Sequence, residues 1–254
     1  MATREGSTSD AGPVPVPAPR VRALVVDDEP VLVRVVAAYL ERAGFDVTTA
    51  AEGHEALRLA REIGPDVVVL DWMMPRIDGI EVCRQLRTFS DAYVIMLTAR
   101  TEEIDTLVGL SVGADDYMSK PFSSRVLVAR IRSMLRRPRT APAVAGTETP
   151  ADVAPMRRFG DLAIDPEARE VWLGDQLVAL TPIEFDLLEV LSSRPGTAFS
   201  RARLIERVWG PSWFGEERVV DIHVGHVRHK LGDDVAAPRY VRTVRGVGYR
   251  IGPG

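Results

Sequence analysis

Four apolar residues at 67–70 run straight into Asp71, and the chain then turns through Pro75 and the Asp78-Gly79 pair. Burying an ionised carboxylate without a partner is very costly. An apolar strand that ends on one must therefore deliver it to a partner supplied from elsewhere in the chain. Three other short apolar runs end in the same manner. Residues 21–26 lead into Asp27, Asp28 and Glu29, residues 93–97 into Thr98, and residues 116–119 into Lys120-Pro121. A fifth run, 46–50, is DVTTA. Between the runs lie stretches of helical apolar period at 31–44, 55–64, 79–88 and 101–113, and an amphipathic stretch at 123–137 follows the last. Strands alternating with helices at this spacing predict an α/β fold, a doubly wound parallel sheet of five strands in flavodoxin-like order. Ligands of such sheets bind outside the carboxyl ends of the strands, and each of these polar residues falls at such an end.

That sheet accounts for residues 21–137 of a 254-residue chain. Residues 138–156, rich in Pro, Ala, Thr and Gly and without periodicity, read as a flexible linker. The division expected is a disordered tail at 1–20, an α/β domain at 21–137, the linker at 138–156 and a second domain at 157–254. Prolines at 13, 15, 17 and 19 occupy the place of a signal-peptide apolar core, and no apolar run approaches the length of a membrane span. A cytoplasmic protein without membrane contact is expected. Cys83 is the single cysteine, so no internal disulfide or thiolate metal cluster can form, and it reads as a small buried hydrophobe.

The second domain has a different texture. Residues 159–180 suggest antiparallel strands turning at Asp165-Pro166 and Gly174-Asp175. Three helices follow at about 181–196, 201–210 and 217–231. The first opens on Thr181 with Pro182 next and Glu184 three residues on, the pattern of a capping box. A closing hairpin turns at 246–248. Helices followed by a two-stranded wing suggest a winged helix-turn-helix that binds DNA. The net charge of −4 does not oppose this, because charge is unevenly placed: beyond Val227 six bases (Arg228, Lys230, Arg239, Arg242, Arg245 and Arg250) face two acids, Asp233 and Asp234. His223, His226 and His229 recur every three residues, but six residues of helix rotate too far for all three to share a metal.

In the first domain, a flavodoxin-like order brings the first, third, fourth and fifth strand ends around one crevice. Clustered carboxylates repel one another, and a hard divalent cation relieves the repulsion. Mg²⁺ takes oxygen ligands and keeps several waters, so two carboxylates and a backbone carbonyl suffice, and Asp28 and Asp71 are the first candidates, with Asp27 acting directly or through water. A carboxylate can also attack phosphorus while an ammonium and a metal neutralise the moving oxygens, and Lys120 and Thr98 are placed for that task. Of 32 basic residues only Lys120 and Lys230 are lysines. A lysine kept here, in a chain that otherwise uses arginine, points to a need for a compact point charge.

The segments VVDDEP, VLDWMMPRIDG, MLTAR and GADDYMSKPF resemble the signatures of bacterial response-regulator receiver domains over about 21–137. The segments LTPIEFDLLEVL, RVWG, VVDIHVGHVRHKL and VRTVRGVGYRI are similar to the winged-helix effector of the OmpR/PhoB subfamily. The resemblance implies that Asp71 is the phosphoacceptor, that Asp27, Asp28, Asp71 and the Met73 carbonyl hold Mg²⁺, and that Thr98 and Tyr117 form the switch, with Lys120 on the phosphate. It implies a third helix in the major groove, with Arg218, Asp221, Ile222, Gly225, His226 and Arg228 towards the DNA and Arg242 and Arg245 as wing contacts. Tyr249 is expected at the base of the wing. It further implies a homodimer built on the helix at 101–113, the fifth strand and the last helix, through Asp115, Asp116, Arg130, Arg132 and Arg137. Thr106, Ser111 and Val126 are uncharged where relatives carry ionic partners, and Gly225 and His226 stand where basic side chains are common. A sensor histidine kinase, double-stranded DNA and RNA polymerase are the partners implied. An alternative is a phosphorylation-independent DNA-binding regulator whose receiver is only a dimerisation scaffold. A phosphohydrolase of the haloacid-dehalogenase kind fits poorly, since its nucleophile ends the first strand and here the acid pair comes first.

Overall fold

Residues 20–99, 112–135 and 155–254, apart from 212, 214 and 216, are described by a computed structural model. The N-terminal tail, most of the helix expected at 101–113, with Thr106 and Ser111, and most of the linker, with Arg136 and Arg137, lie outside the described residues. Five strands, β1 (Arg22–Val26), β2 (Asp46–Ala50), β3 (Val67–Asp71), β4 (Tyr93–Thr98) and β5 (Asp116–Ser119), form one parallel sheet in the order β2-β1-β3-β4-β5. This is the flavodoxin-like order expected from the alternation of runs. Strands β3 and β4 are buried at every residue, whereas β2 at the edge is partly exposed. Burial on both faces is why the central runs are continuous in Val, Leu and Ile rather than alternating.

Helices α1 (Pro30–Arg42) and α4 (Ser124–Leu135) pack together, as do α2 (Gly53–Ile63) and α3 (Gly79–Leu86). Asp78 caps α3 by accepting from the Glu81 amide at 2.8 Å. The turn between β3 and α3 is tight: Gly79 N–H donates to the Trp72 carbonyl at 2.9 Å. A Cβ on Gly79 would stand 2.0 Å from the Asp71 carbonyl oxygen. The aspartate and its turn glycine are thus one structural unit.

The second domain begins with an antiparallel sheet, β6 (Arg157–Phe159), β7 (Leu162–Asp165), β8 (Glu170–Leu173) and β9 (Gln176–Leu177). Three helices follow, α5 (Pro182–Ser192), α6 (Arg201–Val208) and α7 (Arg218–Lys230). The capping box is complete: Thr181 accepts from the Glu184 amide and Glu184 Oε2 accepts from the Thr181 amide at 2.8 Å. Strands β10 (Phe199–Ser200), β11 (Val241–Val244) and β12 (Gly248–Ile251) close the domain in the order β10-β12-β11, with β11 and β12 forming the wing hairpin. Val220, Val224, Val227 and Leu231 face the core from α7 and its end, as the helical period requires.

Two glycines with opposite surroundings test this packing. Gly79→Ala is expected to lower unfolding stability by about 1–3 kcal/mol, the usual cost of forcing a group into filled space. Gly225, in the middle of α7, has open space where its Cβ would lie, so Gly225→Ala is expected to raise it by about 1 kcal/mol. Urea titration of both variants reads the signs, and a neutral Gly79→Ala would contradict the turn described.

Candidate functional site

The carboxyl ends of β1 and β3 lie on adjacent strands, which brings Asp27 beside Asp71. Both are buried, at 1% and 4% relative exposure, while Asp28 is exposed at the rim. Carboxylate oxygens of Asp27, Asp28 and Asp71 all lie within 4.8 Å of one another. From the end of β5, Lys120 Nζ reaches across to Asp27 Oδ2 at 2.8 Å and Asp71 Oδ1 at 2.7 Å, with the exposed Glu29 at 3.4 Å. One ammonium thus bridges two strand ends. The Lys120-Pro121 peptide bond is cis.

Burial disfavours the Asp71 anion, and although the Lys120 hydrogen bond pulls the other way, the charge of Asp27 adds to the burial and the carboxyl pKa ends above its ordinary value. Burial also works against the Lys120 ammonium, but the two aspartates outweigh it and raise its pKa. The Asp71 Oδ2 atom accepts from the Met73 amide at 3.0 Å. Met73 is 54% exposed, so the loop carrying its carbonyl borders solvent beside the acids. Thr98 ends β4 in the register that sets it opposite Ser119, and its carbonyl accepts from the Lys120 amide at 2.6 Å. Thr98 is buried and Tyr117, in the middle of β5, is half-buried.

In the second domain the residues expected at DNA divide into two groups. Arg218, Gly225, His226 and Arg245 are exposed or partly so, as are Ile222 and Arg242. Asp221 is half-exposed but engaged: it accepts from Arg201 Nε and Tyr249 Oη, each at 2.7 Å. Arg228 requires correction as an open DNA-facing residue. Its guanidinium is buried, donating to the Val241 carbonyl at 2.7 and 2.9 Å and to Thr243 Oγ1 at 2.8 Å, with its charge over the Tyr249 ring. Arg228 stands four residues beyond the inward-facing Val224, so helical geometry places it against β11. It clamps α7 to the wing. Tyr249 sits at the wing base as expected.

The described part of the surface expected to pair two copies, on β5 and α4, is occupied within one chain. Asp116 and Arg130 form their ion pair at 2.9 Å between β5 and α4, and Trp213 Nε1 donates to both Asp116 oxygens at 3.2 and 3.3 Å. Trp209 Nε1 donates to the Asp115 carbonyl at 3.2 Å, and Ser133 Oγ donates to the Trp209 carbonyl. Asp115 binds Arg87 and accepts from Val94 N–H at 2.8 Å. Its Oδ1 also faces the Ile183 amide at 3.4 Å, in the first turn of α5, where the positive end of the helix favours an anion. Burial pushes both acids up in pKa, with Arg87 and Arg130 opposing. Arg132 points elsewhere, donating to the Ala43 carbonyl at 2.8 Å. No periodicity announces such a contact. Its one trace in the sequence is the pair of tryptophans, Trp209 and Trp213, just beyond the end of α6.

Comparison with known proteins agrees with both halves. The response regulator receiver domain model matches residues 23–132, and the C-terminal domain model of transcriptional regulatory proteins matches 174–251. The DNA-binding response regulator MtrA of Mycolicibacterium smegmatis is 43% identical over 92% of this chain and 98% of its own length. The alkaline phosphatase synthesis transcriptional regulatory protein PhoP of Bacillus subtilis is 42% identical over 91% of this chain and 96% of its own. A solved structure of a RitR mutant superposes with a TM-score of 0.70 at 25% identity, covering 92% of this chain and 100% of that one. The class defined is a two-domain regulator with an acidic receiver and a DNA-binding effector. The chain belongs to the response regulators of OmpR/PhoB type. Among the described residues no helix is long and apolar enough to cross a membrane.

The raised pKa of Asp71 bears on stability. The folded chain holds the Asp71 proton more tightly than the unfolded chain does, so the fold loses stability as pH rises through the folded-state pKa. Asp71→Asn, which cannot ionise, is therefore expected to melt above wild type at pH 7 without divalent cations. The difference should vanish on acidification below the ordinary aspartate pKa of about 3.9. Calorimetry at the two pH values decides it, and a variant that melts lower at pH 7 would contradict the dominance of burial over the Lys120 contact.

Proposed function

We propose that the chain is a phosphorylation-gated transcription regulator acting in the cytoplasm, with Asp71 as phosphoacceptor and a sensor histidine kinase as donor. The observation that carries this reading is the meeting of Asp27, Asp71 and Lys120 from three strand ends. An Asp71 oxygen attacks the phosphorus, forming a P–O bond as the P–N bond to the donor histidine breaks. Lys120 stays as the fixed cation for the phosphoryl oxygens, and the Thr98 hydroxyl is the nearest switch element on β4. Asp27, Asp28, Asp71 and the Met73 carbonyl suit a hard divalent cation such as Mg²⁺, which when bound supplies charge neutralisation for the transferred oxygens. The three clustered carboxylates with one ammonium among them fit that ion.

Phosphorylation adds about −1.5 to −2 charge at neutral pH to a pocket whose cation belongs to the same segment as β5. The opposite end of β5 holds Asp115 and Asp116 under the effector's tryptophans. In the proposed cycle the closed contact is the resting arrangement, and the modified receiver releases the effector and pairs with a second copy. Two linked effectors then bind half-sites about 10–10.5 base pairs apart, through Arg218, Ile222, Gly225 and His226 on α7 and Arg242 and Arg245 on the wing. RNA polymerase is the partner that reads the bound state.

A small phosphodonor with Mg²⁺ is expected to label wild type and not Asp71→Asn. Footprinting should then show DNA affinity rising about 5- to 150-fold on donor addition, the usual range of allosteric coupling, for wild type alone. Equal protection of DNA by wild type with and without a demonstrated label would overturn the gating and favour the scaffold alternative.

A further inference from the structure

The histidines of α7 separate in three dimensions. His229 is exposed, whereas His223 and His226, one turn apart, have ring centroids 5.8 Å apart. The third donor comes from another helix. Glu184 on α5 brings a carboxylate oxygen within 4.8 Å of one nitrogen from each imidazole. His223 is buried to 1% exposure, and among the described residues neither of its ring nitrogens has a hydrogen-bond partner. An imidazole always carries a lone pair or a second N–H at those atoms, and leaving both unmet in the interior is costly. The Asp115 carbonyl, which accepts from Trp209 Nε1 at 3.2 Å, lies close to the ring and can serve one ring nitrogen at most, so the other is still unmet. Trp209 stacks obliquely on His223 with centroids 5.5 Å apart and offers the ring nitrogens nothing polar there.

We propose that Glu184, His223 and His226 form a site for a transition-metal cation of the zinc class, its fourth position open to the groove between the two domains. Two imidazoles and one carboxylate, with one position left to water, make a frequent donor set for zinc. The oxygen assignments on Glu184 agree with this. Its Oε2 is taken by the Thr181 amide at 2.8 Å and Lys230 Nζ at 2.6 Å, contacts that orient a ligating carboxylate from behind. Its Oε1 faces His226 Nδ1 at 3.6 Å, too long for a hydrogen bond. Tetrahedral bonds of about 2.0–2.1 Å set donors about 3.4 Å apart, so the three atoms need close by no more than about 1.4 Å. The groove, about 450 Å³ and bordered by Arg87, Gly113, Thr181, Glu184, His226 and Lys230, admits the ion and its water. All three donors belong to the effector domain, so the site does not depend on the phosphorylation reading. Binding would tie α5 to α7 and withdraw His226 from DNA.

The test uses the full-length, untagged protein with Co²⁺ as the spectroscopic probe, in excess Mg²⁺ so that the acidic receiver pocket is filled. One equivalent of Co²⁺ is expected to give the intense visible bands of a four-coordinate ion, displaced by one equivalent of Zn²⁺. The bands should be lost in His226→Gln and in Glu184→Gln, each keeping a side chain of similar shape and checked for unchanged circular dichroism. They should persist in Asp71→Asn, which weakens only the receiver pocket. Absence of the bands in wild type, their survival in His226→Gln, or their loss in Asp71→Asn would each overturn the assignment.

Discussion

One ammonium fixes the geometry on which the receiver depends. Lys120 Nζ lies 2.8 Å from Asp27 and 2.7 Å from Asp71, and those carboxylates end strands that are not neighbours of β5. Without it, two buried anions would face each other across the topological switch point of the sheet, with the burial that already raises the Asp71 pKa unopposed. The arrangement is poised because it is only just compensated. Burial disfavours the Asp71 anion while Lys120 favours it, and a new anionic group there would compete with Asp27 for the same cation.

The same strand leads to the second domain. Strand β5 starts at Asp116, which is sealed beneath Trp213, and Lys120 follows its end. Four residues at about 3.3 Å each put the two only about 13 Å apart along one rigid element. Sheet backbone does not stretch, so in the proposed cycle any displacement of β5 would be a rotation or slide against β4. The groups that register such movement are the Asp116–Arg130 pair and the carbonyl of Asp115, and both hold effector tryptophans. Tyr117, between the two ends, pairs with Met96 and lies where that movement passes.

The sheet, its order and the acidic pocket were legible because each depends on local signals: apolar runs with polar residues at their ends, glycine and proline at turns, and a capping box at Thr181. Arg228 shows where local reading stops. Its type suggested DNA, but its position four residues beyond Val224 fixes its direction, and only the placement of β11 supplies the acceptors that make its burial tolerable. Glu184 is similar. The sequence identifies it as a cap, and that role uses one oxygen, leaving the other to face α7 through contacts no spacing rule encodes. The interdomain contact was illegible for the same reason, since two tryptophans near a helix end state that something is covered without stating what.

That contact also constrains how the receiver can pair with a second copy. The Asp116–Arg130 ion pair was expected at a dimer interface, and here it is shielded inside one chain at 2.9 Å with Trp213 over it. The face cannot be covered by the effector and by another receiver at once. Dimerisation through it therefore carries the cost of undocking in both copies, and the apparent association constant scales as the square of the fraction of open chains. A closed state favoured by about 2.7 kcal/mol would leave about one chain in a hundred open and, since both partners must open, weaken assembly about ten-thousandfold, before any repulsion is counted. Uncharged Val126 on the neighbouring face adds no ionic attraction to offset this. The strength of the tryptophan contact, rather than the number of charged pairs available between copies, thus sets the threshold at which a modified receiver could pair.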